Sequence, residues 1–303
     1  MKIKISVILA VFLIIAGAIV SCQTLMAVAD VGAQIAGAAG VIDQNVANAI
    51  STSSRAIGSA SEEITPEQEY FIGRAVAANI LYTYRIWNDN PALTAYLNNI
   101  CAAITINSPR PDVYNGYHLA ILDSNEINAF ATSGGHIFVT RGLINAARSE
   151  DALAGVIAHE VAHIQLQHSI KAIRNSRITQ ALLITGTSAA GAAAGMDVNQ
   201  LTDVFNETVG EIVTTLVNNG YSRDQEFEAD NTAMRLMASA GYSPSGLIEM
   251  LRALSSVQSG SSGLGKTHPT PAQRITNAER YVGSHTVTDT RSHRHARFAA
   301  ATR

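Results

Sequence analysis

Apolar positions recur along this chain with two different periods, and each change of period marks a change of expected secondary structure. Thr65-Pro66-Glu67 opens a helix predicted to run through about Tyr84, with a threonine able to cap and a proline at the first helical position. Pro91 opens another, carrying Leu93, Tyr96, Leu97 and Ile100, and Ser108-Pro109-Arg110-Pro111-Asp112 breaks the chain after it. His118-Leu119-Ala120-Ile121-Leu122 and His136-Ile137-Phe138-Val139-Thr140 have strand composition, with Asn128-Ala129-Phe130-Ala131 between them and a turn at Gly134-Gly135. Asp151 to about Ile173 reads as a helix capped by Ser149, with Leu153, Val156, Ile157, Val161 and Ile164 on or near one face. Further helices are predicted around 201–218, 224–240 and 244–257, then a Gly/Ser loop from Ser259 to Gly265. The fold class expected is α+β, mostly helical, with a small antiparallel sheet beside the helix that begins at Asp151.

The two ends depart from this pattern. Lys2 and Lys4 precede an uncharged apolar run from Ile5 to Val20, as in a signal peptide, and the run closes on Ile19-Val20-Ser21-Cys22, which looks like a bacterial lipobox. On that reading residues 1–21 are removed, Cys22 is lipidated, and Gln23 in place of aspartate points to the outer membrane. A single transmembrane anchor is the competing reading, since the run falls only a little short of the roughly 20 residues a span needs. Residues 22–60 read as an Ala/Gly/Ser-rich tether, although Val28, Val31, Ile35 and Val41, Val46, Ile50 also fit weak amphipathic helices. The small apolar stretch 182–195, interrupted by glycines, is expected to pack inside a helical lobe. Residues 284–303 lack an apolar pattern and are expected to be disordered, leaving 61–283 as the folded domain.

Composition narrows the function classes. With 303 residues, 47% of them hydrophobic, the chain can build a sizeable core. A net charge of −3 offers no basic surplus, so nucleic acid is not expected as a partner. Cys101 is the one cysteine besides Cys22, so a chain lipidated at Cys22 can form no intrachain disulfide; Cys101 sits in an amphipathic pattern and is expected in the core.

The chemistry concentrates at His159-Glu160-Val161-Ala162-His163. Histidines four apart project from one helical face and can place two imidazole nitrogens on one zinc ion, while Glu160 can take a proton from the water that the zinc activates. Apolar neighbours bury the motif, which makes these polar groups costly without a partner such as a metal. A third protein ligand is then required. A histidine six residues past His163 would complete one pattern, but position 169 is Ser169, Leu166 replaces the needed glycine, and His168 is one residue short. The gluzincin pattern instead takes a glutamate from a later helix. Ser222-Arg223-Asp224-Gln225-Glu226-Phe227-Glu228-Ala229-Asp230 supplies Glu226 as ligand, with Asp230 one turn on to accept the other ring N–H of a zinc histidine, His159 being the first choice. Glu228 is expected to point elsewhere, His168 to pack or bond a neighbour, and Tyr221 to pack.

These segments together resemble family 48 of the metallopeptidases, which includes CAAX prenyl proteases, HtpX and mitochondrial Oma, and the lipobox resembles the soluble bacterial envelope branch. The likeness covers about Ile64 to Tyr281. The resemblance implies a gluzincin fold and a zinc endopeptidase carrying one zinc per chain. It further implies a strand at Asn128, Ala129 and Phe130 that pairs with extended substrate. Thr267-His268-Pro269 through Arg274-Ile275 is similar to the family's His-Pro loop; His268 or Arg274 is then a candidate for oxyanion stabilisation, or His268 for closing the metal, against a plain helix-capping role. The substrates implied are unfolded or misassembled envelope proteins, met at the periplasmic face of the outer membrane through the lipid. An envelope chaperone or assembly factor on the same fold, and a zinc hydrolase of cell-wall peptides, stand as alternatives.

Overall fold

The structure is a computed structural model that describes residues 22–41, 43, 44, 48, 51, 64–172, 174, 210, 213–214, 220–257, 268, 270–283 and 291–302. The segment expected to be a signal peptide, the stretch 182–195 and the Gly/Ser loop lie outside the described residues, as does nearly all of the helix expected over 201–218. No helix among the described residues is long and apolar enough to cross a membrane. The chain divides into two compact units: Met1–Ile64 with Lys171–Val204, and Thr65–Ile170 with Phe205–Arg303. In the first, α1 (Cys22–Ala38) makes the start of the expected tether helical, and the Ser51 hydroxyl bonds both Gln34 and Asp30.

The second unit opens with α2 (Pro66–Thr83), where Thr65 and Gln68 satisfy each other's backbone N–H groups in a capping box. Asn90 caps α3 (Pro91–Thr105) through a bond from the Leu93 N–H. Three strands follow: β1 (His118–Leu122), β2 (Ala129–Thr132) and β3 (His136–Thr140). Their order is β1-β3-β2, with β3 parallel to β1 and antiparallel to β2, so the sheet is mixed and not antiparallel throughout. The chain leaves β1, lays β2 at the far edge and returns through Gly134-Gly135 into the middle. That return needs glycine: φ is 77° and 102°, and a Cβ at Gly134 would stand 2.5 Å from Tyr70 Cα.

Thr140 ends β3 and caps α4 (Arg141–Ala146). Ser149 caps α5 (Glu150–Gln165), whose residues are buried from Glu150 to Ile164 because α3, β2 and helices from the C-terminal part pack around it. These are α6 (Arg223–Ser239), α7 (Ser245–Val257), α8 (Pro271–Val282) and α9 (Arg291–Ala301). Gly155 lets α7 approach, since a Cβ there would stand 2.8 Å from Leu247 Cα. Leu153, Ile157, Met234, Met237 and Leu247 are fully buried between these helices, each worth about 1.5–3 kcal/mol against exposure. Cys101 lies in the same core.

Two expectations are corrected. The helix from Asp151 does not continue to Ile173: it ends at the Leu166 cap, Gln167 turns left-handed with φ 54°, and helix resumes at 168. Residues 284–303 are not wholly disordered, because α9 occupies Arg291–Ala301. Its order comes from charge more than apolar pattern: buried Arg294 donates to Asp151, 3.0 Å, and Arg297 to Glu150, 3.1 Å, at the start of α5.

Candidate metal centre

The site forms where α6 crosses the second half of α5. Ser222 and Gln225 make a capping box that fixes the start of α6, which places Glu226 in its first turn and Asp230 one turn later, both at 0% exposure. From α5, His159 and His163 converge with their Nε2 atoms 3.1 Å apart. Glu226 faces both: Oε2 lies 3.4 Å from His159 Nε2 and Oε1 lies 3.5 Å from His163 Nε2. His268 adds a third imidazole, its Nδ1 2.7 Å from Glu226 Oε2. Ligand atoms from these four residues all lie within 4.8 Å of one another.

This arrangement is unfinished as a set of hydrogen bonds. Glu226 Oε1 and Glu160 Oε1 are buried and have no hydrogen-bond partner. Leaving a buried polar atom unpartnered costs about 1–3 kcal/mol, more when it is charged. A cation among two imidazole nitrogens and a carboxylate would satisfy Glu226, so the residues present fit a metal ion.

Behind the donors the groups are fully engaged. Asp230 Oδ1 lies 3.0 Å from His159 Nδ1, and Arg274 clamps the same carboxylate through Nε, 2.9 Å, and Nη2, 2.6 Å. Arg274 Nη2 also comes within 3.1 Å of His159 Nδ1; with the proton on that nitrogen, Asp230 accepts from both and relieves the approach of two donors. With Nε and Nη2 on Asp230, Arg274 supports His159, while its Nη1 lies 3.6 Å from Glu226 Oε2. His268 does not cap α8, whose N-cap is Thr270 without a side-chain bond.

Of the three strand residues singled out, β2 turns only one outward. Thr140 N–H donates to Asn128 O, so the paired residues alternate from there, and Phe130 bonds back to Phe138. The backbone groups of Ala129 and Ala131 therefore face the edge away from β3, although the Ala129 N–H is taken by the Asn128 side chain at 3.0 Å. Cys22 begins α1 in the other unit.

Residues 90–282 match Peptidase family M48. The chain belongs to this family. Among its relatives, a putative beta-barrel assembly-enhancing protease of Vibrio cholerae is 28% identical over 226 residues, covering 72% of this chain and 45% of the relative. Metalloprotease LoiP of Escherichia coli is 31% identical over 152 residues, 50% of this chain and 57% of the relative. Mitochondrial metalloendopeptidase OMA1 of Schizosaccharomyces pombe is 28% identical over 196 residues, 62% and 53%. The chain thus spans about half the length of the relatives it matches.

The charge states of this M48 site follow from its burial. Burial pushes the Glu160 carboxyl up, against His159 and His268. Burial alone would also raise Glu226, but the charge of His268 and the close approach of the neighbouring imidazoles hold it well below the usual carboxylate range. Burial and Arg274 lower His159, yet the bonds to Asp230 and Glu226 outweigh them and lift it to about 9. Burial lowers His163 to about 3, so this imidazole is neutral.

Three further residues gather near the centre: His168 bonds a neighbour and Tyr221 packs, both as expected, and Glu228 departs from its expectation. Glu228 does not point away from the site's surroundings: its Oε2 lies 3.3 Å from His168 Nε2, and His168 Nδ1 lies 2.8 Å from His163 Nδ1. Tyr221 stacks on His163 at 4.2 Å and 17° between ring planes. Residues 60 apart carry no local pattern that announces such a contact.

Proposed function

We propose that the chain is a zinc-dependent endopeptidase, with His159, His163 and Glu226 as the zinc ligands, Glu160 as the general base and one zinc per chain. The observation that carries this reading is the pair of buried carboxylate oxygens without partners, Glu226 Oε1 and Glu160 Oε1, beside two converging imidazoles. Two nitrogens and a carboxylate oxygen are a donor set suited to catalytic zinc. Zinc, when bound, supplies a positive charge that polarises a carbonyl and lowers the pKa of water to about 7. Glu160 takes the proton of the attacking water and passes it to the leaving amine; a carboxyl raised by burial holds that proton between the two events. Asp230 keeps a proton on His159 Nδ1, leaving Nε2 free to ligate. Extended substrate pairs with the outward groups of β2, Ala129 O and the Ala131 backbone. His268, already on Glu226, closes the centre when no substrate is present.

The same reading assigns residues 1–21 to a signal peptide, Cys22 to a lipid anchor and 22–60 to a tether. It places the folded domain, α9 included, in the bacterial envelope, at the periplasmic face of the outer membrane. Relatives named as beta-barrel assembly-enhancing proteases support misassembled envelope proteins as substrates. Zinc content and casein cleavage, measured for wild type, Glu160→Gln and Glu226→Ala, test the core of it. The expected result is that Glu160→Gln keeps zinc and loses cleavage, while Glu226→Ala loses both. Unchanged cleavage in Glu160→Gln refutes the base, and full zinc occupancy in Glu226→Ala refutes the ligand.

A further inference from the structure

We infer that His168, backed by Glu228, is a positioning residue for His163: it fixes the proton on Nδ1 and so keeps Nε2 available to the metal. The inference rests on the zinc reading above and concerns how the second histidine ligand is held.

A neutral imidazole that ligates through Nε2 must carry its hydrogen on Nδ1. His159 meets this condition through the carboxylate of Asp230, 3.0 Å from its Nδ1. His163 has no carboxylate there. Its Nδ1 faces His168 Nδ1 at 2.8 Å, a distance at which one nitrogen donates and the other accepts. If His163 donates, the proton of neutral His168 sits on Nε2, and that is where Glu228 Oε2 stands, 3.3 Å away. Glu228 is 51% exposed at its side chain while His168 is fully buried, so the solvent-facing carboxylate orients a buried ring, which orients the ligand. Tyr221, stacked flat on His163, holds the ring plane from a second direction.

The backbone is built for this contact. In an uninterrupted helix, residues five apart point about 140° away from each other, so His168 could not reach His163. Gln167, with φ 54°, is the non-glycine residue in the left-handed region among the described residues, and it breaks α5 at the step that turns His168 back. The turn is braced: the Gln167 side chain donates to Glu69 Oε2 at 3.1 Å, and Arg110 donates to both Glu69 Oε2 and Ile164 O. A left-handed glutamine held at this cost of local strain marks the position as one the surrounding fold maintains.

The test is zinc affinity by competition with a chromogenic chelator, on the full chain, for wild type and two variants. His168→Phe keeps a ring without an acceptor and is expected to weaken zinc binding about 10–100-fold. His168→Asn puts an amide oxygen where Nδ1 stands and is expected to stay within about threefold of wild type. Cobalt-loaded protein supplies an independent readout. The exchangeable His163 Nδ1–H proton, shifted by the metal, should persist in wild type and His168→Asn and be lost to solvent exchange in His168→Phe. Wild-type affinity in His168→Phe overturns the inference, and so does equal weakening in both variants, which would indicate packing alone. Should His168→Phe fail to fold, Glu228→Lys decides at the exposed end of the chain of contacts: a roughly tenfold loss of affinity is expected, and an unchanged value overturns the inference. A wild type that holds no zinc sinks the zinc reading itself, whereas a wild type that holds zinc beside an unaffected His168→Phe sinks only the role of His168.

Discussion

The two ends of α5 both bury acidic side chains, and they do so in opposite ways. At its start, Glu150 accepts from Arg297 and the Tyr96 hydroxyl, while Asp151 accepts from Arg294 and the Ser243 N–H. No oxygen of that pair is left without a partner. Nearly three turns on, Glu160 and the facing Glu226 each keep a buried oxygen with none. Burial of charge is costly in both places, so it does not distinguish a scaffold from a site. What distinguishes them is whether the chain itself completes the bonding.

That contrast can be broken in order of expected effect. Glu160→Gln should lower kcat for casein by about 10²–10⁴-fold while chelator competition finds zinc affinity near wild type. Its counterpart, Asp151→Ala, removes the carboxylate paired with the buried Arg294 guanidinium and should cost about 3–5 kcal/mol in urea unfolding, with activity per folded molecule preserved. Replacing both, as Asp151→Ala with Arg294→Met, should cost less than the single change; a larger cost would deny the pairing. Removing zinc supplied at 100 times its dissociation constant should lower stability by about 2.7 kcal/mol. That loss should add to the Asp151→Ala loss within about 0.5 kcal/mol, because the two clusters sit at opposite ends of α5. Gly155→Ala lies between the ends, against Leu247, and should cost about 1–3 kcal/mol by pushing α7 off α5, measured as a shift in thermal midpoint.

Local chemistry was readable in advance where it is written in consecutive residues. Thr65-Pro66, Pro91 and Ser149 mark helix starts because capping involves neighbours three residues away, and β1 and β3 occupy the spans their composition suggested. His159, His163, Glu226 and Asp230 could be brought together on paper because two helical faces and a known donor count suffice. Strand direction could not be read: β1 and β3 are both short and apolar, and nothing in alternation distinguishes parallel from antiparallel pairing. Neither could α9, whose Arg294 and Arg297 look like a solvated charge run until Asp151 and Glu150 are seen opposite them. The His163–His168–Glu228 contact was hidden for another reason. It depends on one left-handed residue, Gln167, in a segment whose composition continues the helix.

The clamp of α9 on α5 also sets an order of events during synthesis. Asp151 and Glu150 lie 143 and 147 residues ahead of the arginines that pair with them. A ribosome delivers the helix bearing His159 and His163 long before it delivers Arg294 and Arg297. The charged start of that helix stays open to water until those arginines have emerged, and a chain cut short before residue 291 would carry the complete donor set on a helix whose foundation is missing.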